Sequence, residues 1–210
     1  DLTEAAMMLI LRESGADIRG AQERCSLHLD GYIVRGTLDL ILRDSMGIDR
    51  VWDIKSASDW AFKNKWIGGY EKLLDEDPFG YIMQGFLYGE AMGMPFGGWL
   101  VVNKSSGEIL EVPVPEWHDT DKHKYLEEAK RRVKVLNDPD APFVKFEPED
   151  ETYRRQGQII KTGNKILPRV CGFCGYRAHC WPDAILREKV TSQAKNPPKT
   201  WYTRLKKKEI

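Results

Sequence analysis

The hydrophobic and polar positions at the start of the chain predict a helix followed by a β-hairpin. Residues 2–14 are strong helix formers, and Gly15 follows them as a stop signal. In residues 26–43, two strand-like runs flank Asp30-Gly31, a dipeptide typical of a tight hairpin turn. The second run alternates regularly, so we expect its leucine face to be buried and its other face to carry Asp39 at the middle.

Similar patterns predict further elements downstream. A third short strand is expected over residues 51–55, and the aromatic-rich segment 56–76 is typical of mixed helix and loop. Residues 141–170 have no regular pattern and are expected to be irregular. The remaining predicted elements are a helix over 81–92, a hairpin over 99–102 and 108–114, and a long helix from 119 or 120 through 135.

Length and composition fit one folded domain with extensions. The chain has 210 residues, of which 41% are hydrophobic, enough for a core and too many for a disordered chain. Its apolar runs are only a few residues long, so no membrane-spanning segment is expected. We predict an α/β fold with a central mixed β-sheet flanked by helices. A core over residues 1–165 would precede a cysteine-rich segment over 166–185 and a basic extension over 186–210.

The charges balance overall but are unevenly distributed. The chain has 32 basic and 32 acidic residues, which argues against a protein that binds polyanions through widely spread positive charge. The last 25 residues hold eight Lys/Arg and two Glu, which leaves 24 basic and 30 acidic residues in the first 185. A neutral total is therefore compatible with local positive patches.

Candidate chemistry lies on the predicted third strand. Strand alternation places Asp53 and Lys55 on one face, and Asp39 joins them if its hairpin strand pairs alongside. Carboxylates are hard oxygen ligands that suit Mg²⁺ or Mn²⁺, and a lysine can neutralise charge on a phosphate or orient a water. The plain alternative is a solvated Asp-x-Lys pair, which is common on exposed strand faces.

Three further features accompany this pair. Gly36-Thr37-Leu38-Asp39 precedes Asp53 by one hairpin connection. Gln84 and Tyr88 are four residues apart and therefore share one face of the predicted helix. Glu4 lies on the N-terminal helix, where a third acid could reach the same metal; a solvated acid near a helix N-terminus is the alternative.

This ordered set resembles the PD-(D/E)xK nuclease superfamily, and within it the RecB-like branch that includes CRISPR-associated and AddB-type nucleases and many phage exonucleases. The resemblance covers roughly residues 1–182 and implies a restriction-endonuclease-like core. By this resemblance, Asp39 and Asp53 match the metal-binding acids and Lys55 matches the catalytic lysine. The backbone carbonyl of Ile54 would be a further metal ligand, and Glu4 falls where relatives carry a His or a Glu.

The resemblance also assigns Gln84 and Tyr88 to the third motif, which contacts DNA and braces the site. It implies a metal-dependent DNA nuclease that acts on DNA ends or single strands in recombination, repair or replication, in the cytoplasm of a bacterial or phage-infected cell. The alternative is a non-cleaving DNA-binding or assembly subunit that retains the fold. A recombination or replication protein is a possible partner, and oligomeric state stays open.

Side chains after the lysine are candidates for DNA binding. Ser56 could contact a phosphate or, like Ser58, cap the next helix. Lys63 and Lys65 could bind phosphates while Trp66 stacks on a base. The alternative is a pair of exposed lysines beside a core tryptophan. We expect the DNA-facing groove to be locally positive despite the neutral total.

A cysteine cluster is the second strong signal. Cys171, Cys174 and Cys180 follow the spacing C-x2-C-x5-C, which points to a metal or iron–sulfur site in a reducing compartment. This spacing resembles the iron–sulfur segment of RecB-like nucleases and implies a [4Fe–4S] cluster. In that branch the fourth cysteine lies before the first helix, whereas Cys25 lies after it. Three readings stay open: a [4Fe–4S] cluster, a zinc site completed by Cys25 or His179, and metal-free or oxidised thiols.

Overall fold

Five strands form the sheet at the centre of the first part of the chain. In the order β1-β2-β3-β4-β5, only the β3–β4 pair is parallel, so the sheet is mixed. The computed structural model describes residues 2–77, 79–140 and 146–206. The strands of this sheet are β1 (Ile18–Leu29), β2 (Tyr32–Arg43), β3 (Asp49–Ala57), β4 (Phe96–Asn103) and β5 (Ile109–Pro113).

Helices flank this sheet, so the predicted α/β fold with a central mixed sheet is confirmed. They are α1 (Leu2–Glu13), α2 (Asp59–Ala61), α3 (Gly69–Asp75), α4 (Tyr81–Met92) and α5 (Asp119–Asn137), with a π-helical turn at Phe62–Trp66 between α2 and α3. Within the described ranges, no helix combines the length and apolarity that crossing a bilayer demands.

Two apolar clusters cover the two faces of the sheet. One cluster unites Met7 of α1 with Leu40, Ile54 and Leu100 of the strands. The other packs helical side chains, including Phe62, Trp66 and Ile82, against strand residues such as Trp99. Because both faces are covered, Ile41 is buried as well as Leu40, and the expectation that β2 has a single buried face is wrong.

The hairpin turn is as predicted, but β1 is longer. Asp30 and Gly31 have φ angles of 47° and 85°, the left-handed conformations that a two-residue turn requires. Strand β1 begins at Ile18, eight residues before the predicted start at 26. It lies at the edge of the sheet, so its first half is largely polar and lacks the alternation that marks a half-buried strand.

A second sheet forms in the C-terminal part of the chain. The strands β6 (Glu149–Arg155), β7 (Gln158–Ile166), β8 (Ile185–Glu188) and β9 (Lys199–Arg204) lie in the order β6-β7-β9-β8. Two short helices, α6 (Arg169–Gly172) and α7 (Arg177–Cys180), separate β7 from β8. The chain divides into two compact units between residues 141 and 142. The boundary predicted from the sequence lies between residues 165 and 166.

Two predictions for this part of the chain need correction. Residues 149–155 and 158–166 are paired strands, although 141–170 was expected to be irregular, and of that segment 141–145 lie outside the described residues. Within the expected basic extension, Tyr202 is fully buried and β8 pairs with β9, while 207–210 lie outside the described residues. Charged residues mask the strand pattern of β6 and β7 in the sequence. Asp150 of β6 pairs with Lys161 and Lys165 of β7, each at 2.7 Å.

Candidate functional site

The two neighbouring strands β2 and β3 separate where the candidate acids lie. Their backbone pairing runs from Arg43 opposite Asp49 to Leu40 opposite Trp52. Beyond that point the Oδ2 atom of Asp39, at 2.8 Å, accepts the backbone N–H of Ile54. The carboxylate of Asp39 thus reaches across to β3. Because the N–H and C=O of a strand residue point toward the same neighbour, the Ile54 carbonyl also faces this side.

Asp53 is a buried carboxyl group that contacts both a cation and another acid. It is 3% exposed, and its Oδ2 atom lies 2.5 Å from Nζ of Lys55. Burial raises the pKa of Asp53 to about 7; the positive charge of Lys55 opposes this rise and the negative charge of Asp39 adds to it. Asp39 and Asp53 are therefore adjacent acids whose mutual repulsion a bound cation would relieve.

Helix α4 supplies the groups that hold the lysine. Nζ of Lys55 donates to Oε1 of Gln84 at 3.0 Å, and Nε2 of Gln84 donates to the hydroxyl of Tyr88 at 3.2 Å. Burial is the main cause that raises the pKa of Tyr88, and the charges of Asp53 and Asp39 add to it. The structure thus brings Asp39, Asp53 and Lys55 together with the predicted third motif.

A glycine on β2 allows Tyr88 to lie against the strand. A Cβ atom added at Gly36 would meet Cε1 of Tyr88 at 2.8 Å, closer than real Cβ atoms approach. Any larger residue at this position would displace the Tyr88 ring. The hydrogen bond between Tyr88 and Gln84 would then be lost. Gly36 therefore has a steric role next to the site.

Glu4 approaches the other acids through a residue that the sequence did not indicate. Nε2 of Gln22 lies 3.5 Å from Oε2 of Glu4 and 3.3 Å from Oδ1 of Asp39, so one amide bridges the two carboxylates. Gln22 has a φ of 53°, a left-handed conformation rare for residues other than glycine. Backbone strain of this kind concentrates at functional sites. A glutamine on a polar edge strand gives no sequence signal for this role.

Tyr81 is a second residue that sequence reasoning missed. Its ring lies 5.0 Å from Nζ of Lys55 and 4.6 Å from Nζ of Lys65, so two ammonium groups share one aromatic side chain. Lys65 also lies 5.2 Å from the ring centroid of Phe79. A cation over an aromatic face is attracted by the ring quadrupole. The signal available in the sequence was the position of Tyr81 one turn before Gln84.

The predicted DNA-binding side chains differ in exposure: Trp66 and the amine of Lys65 are buried, whereas Lys63 and Ser56 are exposed. Trp66 is 3% exposed and belongs to the core, and Nζ of Lys65 is buried among aromatic rings. Lys63 is exposed and pairs with Asp59 at 2.9 Å. Ser56 is exposed on β3, whereas Ser58 caps α2 by accepting the N–H of Ala61. An exposed tryptophan does lie nearby on α2, since Trp60 is 63% exposed.

The donor set suits a hard divalent cation in part. Asp39 and Asp53 are in contact, and Glu4 stands one amide away through Gln22. Across residues 2–77, 79–140 and 146–206, no three His, Cys, Asp or Glu side chains are grouped closely enough to hold a metal ion. Two carboxylates with a third close by fit Mg²⁺ or Mn²⁺, provided that Glu4 exchanges the Gln22 amide for the cation.

The cysteine cluster lies in the C-terminal unit on α6 and α7. All four cysteines of the chain are free thiols; Cys171 is buried and Cys174 is exposed. Burial is the main cause that raises the pKa of the Cys171 thiol, and Cys174 and Cys180 add to the rise. The three thiols influence one another, yet among the described residues they do not form a complete metal site. Cys25 lies on β1, in the other unit.

Comparisons with known proteins give no information about the chemistry of this site. No family model matches the chain, and no curated protein matches it. Among solved structures, the chain is similar to one described as "Crystal structure of SSO0001", with a TM-score of 0.40 and 16% sequence identity. The match covers 66% of this chain, which spans 60% of the length of that structure. Similarity at this level says nothing about what the protein does.

Proposed function

We propose that this protein is a metal-dependent DNA nuclease of the PD-(D/E)xK type, acting as an exonuclease at DNA ends or on single strands. One observation carries the proposal: the ammonium of Lys55 is held between Asp53 at 2.5 Å and Gln84 at 3.0 Å, with Asp39 beside Asp53. A cation and two acids at the point where the backbone pairing of two strands ends form an arrangement suited to phosphodiester hydrolysis.

Asp39, Asp53, Glu4 and the carbonyl of Ile54 would hold Mg²⁺ or Mn²⁺. The bound ion would supply Lewis-acid polarisation of the phosphodiester. Lys55 would donate hydrogen bonds to the attacking water or to a phosphate oxygen that gains charge, and Gln84 would keep the ammonium aimed at that position. Tyr88 would hold Gln84 by accepting its amide hydrogen. The chain's contribution is therefore positioning and electrostatic stabilisation.

A time course on end-labelled DNA tests this proposal. With single- and double-stranded substrates in Mg²⁺ or Mn²⁺, we expect progressive loss of nucleotides from ends and complete inhibition by EDTA. The same substrates made of RNA define the sugar preference. Binding of DNA without any metal-dependent cleavage would favour the non-cleaving subunit, and absence of both would reject the assignment. A role in recombination, repair or replication belongs to the same proposal.

We further propose that Cys171, Cys174 and Cys180 bind a [4Fe–4S] cluster, with zinc as the alternative. We propose a location in the cytoplasm of a bacterial or phage-infected cell, a reducing compartment in which free thiols persist. Anaerobically purified protein is expected to absorb at about 400 nm, as cysteine-ligated iron does. A colourless, zinc-bearing sample would reject the cluster, and a sample without metal would reject both. Cys174→Ser is expected to lower the metal content, while Cys25→Ser shows whether Cys25 is the fourth ligand.

A further inference from the structure

A cavity of about 310 Å³ lies beside the candidate active site, between helix α4 and the β1–β2 hairpin. From α4, the residues at one side of the helix line it, and they include Met83, Leu87 and Ala91. Cys25 and other apolar residues of the hairpin form the opposite wall. A volume near the lower end of the roughly 300–1,000 Å³ typical of ligand pockets suits a small planar group.

The cavity and the catalytic groups share a wall. Gln84 and Tyr88 line the cavity, and Gln84 also accepts the hydrogen bond from the Lys55 ammonium. Gly36 completes this wall and permits the close approach of Tyr88. The side chain of Gln84 therefore lies between the cavity and the Lys55 ammonium.

Two arginines and no carboxylate contribute to the described lining. Arg35 projects from the exposed part of β2, and Arg132 comes from α5 with 58% of its side chain exposed. Nε of Arg132 donates to Oε1 of Glu128 at 2.7 Å, which holds the guanidinium in place. An apolar interior with sulfur atoms and a cationic rim complements a nucleotide, whose base is apolar on its faces and whose phosphates are anionic.

We propose that this cavity binds the base of one unstacked nucleotide next to the scissile phosphate, with Arg35 and Arg132 contacting the flanking phosphates. This inference rests on the proposed function, because it assigns the substrate class of the same site. The proposal predicts that the enzyme binds a single-stranded DNA end through one unstacked base. It commits to a nucleic acid; an apolar side chain of a protein partner is the competing occupant.

Equilibrium binding of DNA tests the role of the cavity independently of catalysis. The probe is a fluorescein-labelled single-stranded 12-mer in Ca²⁺, with one abasic site moved along the strand. For the wild type we expect one abasic position to weaken binding by about tenfold, about 1.4 kcal/mol. Ala91→Phe fills the cavity and is expected to bind the intact strand about tenfold more weakly and to be indifferent to that abasic position.

Charge variants provide a test that does not depend on core packing. Arg35→Gln and Arg132→Gln are each expected to weaken binding by about tenfold, the effect of one charge-assisted contact. Arg131→Gln is the matched control, since Arg131 pairs with the same Glu128 at 2.7 Å but does not line the cavity. Its affinity is expected to equal that of the wild type. Melting temperatures of all variants identify any that fail to fold.

Specific outcomes would overturn the proposal. They are equal tolerance of abasic sites at every position, wild-type affinity in Ala91→Phe, or equal losses in Arg131→Gln and Arg132→Gln. If an apolar peptide binds in the cavity and abasic sites do not affect DNA binding, the cavity belongs to a protein partner instead. Because the readout is binding, it stays informative on the Lys55→Met variant. Full cleavage by Lys55→Met would refute the proposed function while leaving the cavity result intact.

Discussion

Asp53→Asn is expected to abolish DNA cleavage and, at the same time, to make the protein more stable. The substitution removes one anionic oxygen from the cation site, and we expect a loss of about 10³-fold in rate. The amide keeps the shape of the carboxyl group and can still accept a hydrogen bond from Lys55. Loss of activity would therefore report on chemistry, because the fold would be retained.

The gain in stability follows from the pKa of Asp53. Burial raises it from 3.8 to about 7, so the unfolded chain ionises this acid more readily than the folded protein does. The resulting penalty is absent below pH 3.8, grows as the pH rises, and is complete above pH 7. In metal-free buffer at pH 8, Asp53→Asn is expected to add roughly 2–4 kcal/mol to the free energy of unfolding.

Chemical denaturation at pH 8 and pH 4 measures this effect, and the gain is expected to shrink at the lower pH. Asp119→Asn is the matched control, since Asp119 is fully exposed at the start of α5 and its loss is expected to change stability by less than about 0.5 kcal/mol. Lys55→Met is expected to lose DNA cleavage as well, but without a gain in the free energy of unfolding. Retained cleavage by Asp53→Asn would contradict the proposed function, and an unchanged stability would contradict the raised pKa of Asp53 in the folded protein.

Glu151→Leu is expected to destabilise the C-terminal unit strongly. Glu151 is fully buried and accepts hydrogen bonds from the Tyr202 hydroxyl at 2.7 Å, from Asn164 at 2.7 Å and from Thr162 at 3.0 Å. Removing the acceptor leaves the buried Tyr202 hydroxyl and the buried Asn164 amide without it. We expect a cost of about 3 kcal/mol, equivalent to a fall of roughly 10–20 °C in the melting temperature of a unit this small.

Hydrogen exchange of the strands in this unit measures the loss directly. Glu149→Leu is the matched control, because Glu149 lies exposed on the same strand, and its effect is expected to stay within about 0.5 kcal/mol. Adding Tyr202→Phe to Glu151→Leu should recover part of the loss, since one orphaned donor disappears. Equal exchange rates in the Glu149 and Glu151 variants would refute the role of this network.

The pH dependence of this unit has a defined sign. Burial tends to raise the pKa of Glu151, but the hydrogen bonds from Tyr202, Asn164 and Thr162 outweigh it and leave the pKa below 4.5. The stabilisation is therefore fully present above pH 4.5 and is lost as the pH falls through the lower folded-state pKa. Acid destabilisation of the wild type in this range should be steeper than that of Glu151→Leu.

Local patterns predicted most elements of the first unit because each rests on a short repeat. The period of two in strands identified β2 and β3, and helix signals gave α4 its bounds, Tyr81–Met92. The second unit escaped prediction because its strands carry ion pairs and a buried acid where alternation would show apolar residues. Glu151 is the clearest case: a fully buried acid in a run of three acidic residues looks like a solvated strand or loop.

The sequence by itself determined that Asp53 and Lys55 share a strand face and that Gln84 and Tyr88 share a helix face, because both relations follow from the backbone period. Only the tertiary structure decided that β2 and β3 separate so that Asp39 reaches the N–H of Ile54. It alone placed Gln22 between two acids and buried the amine of Lys65 among aromatic rings. These relations join residues far apart in the chain, and they depend on how strands and helices pack, which no local pattern encodes.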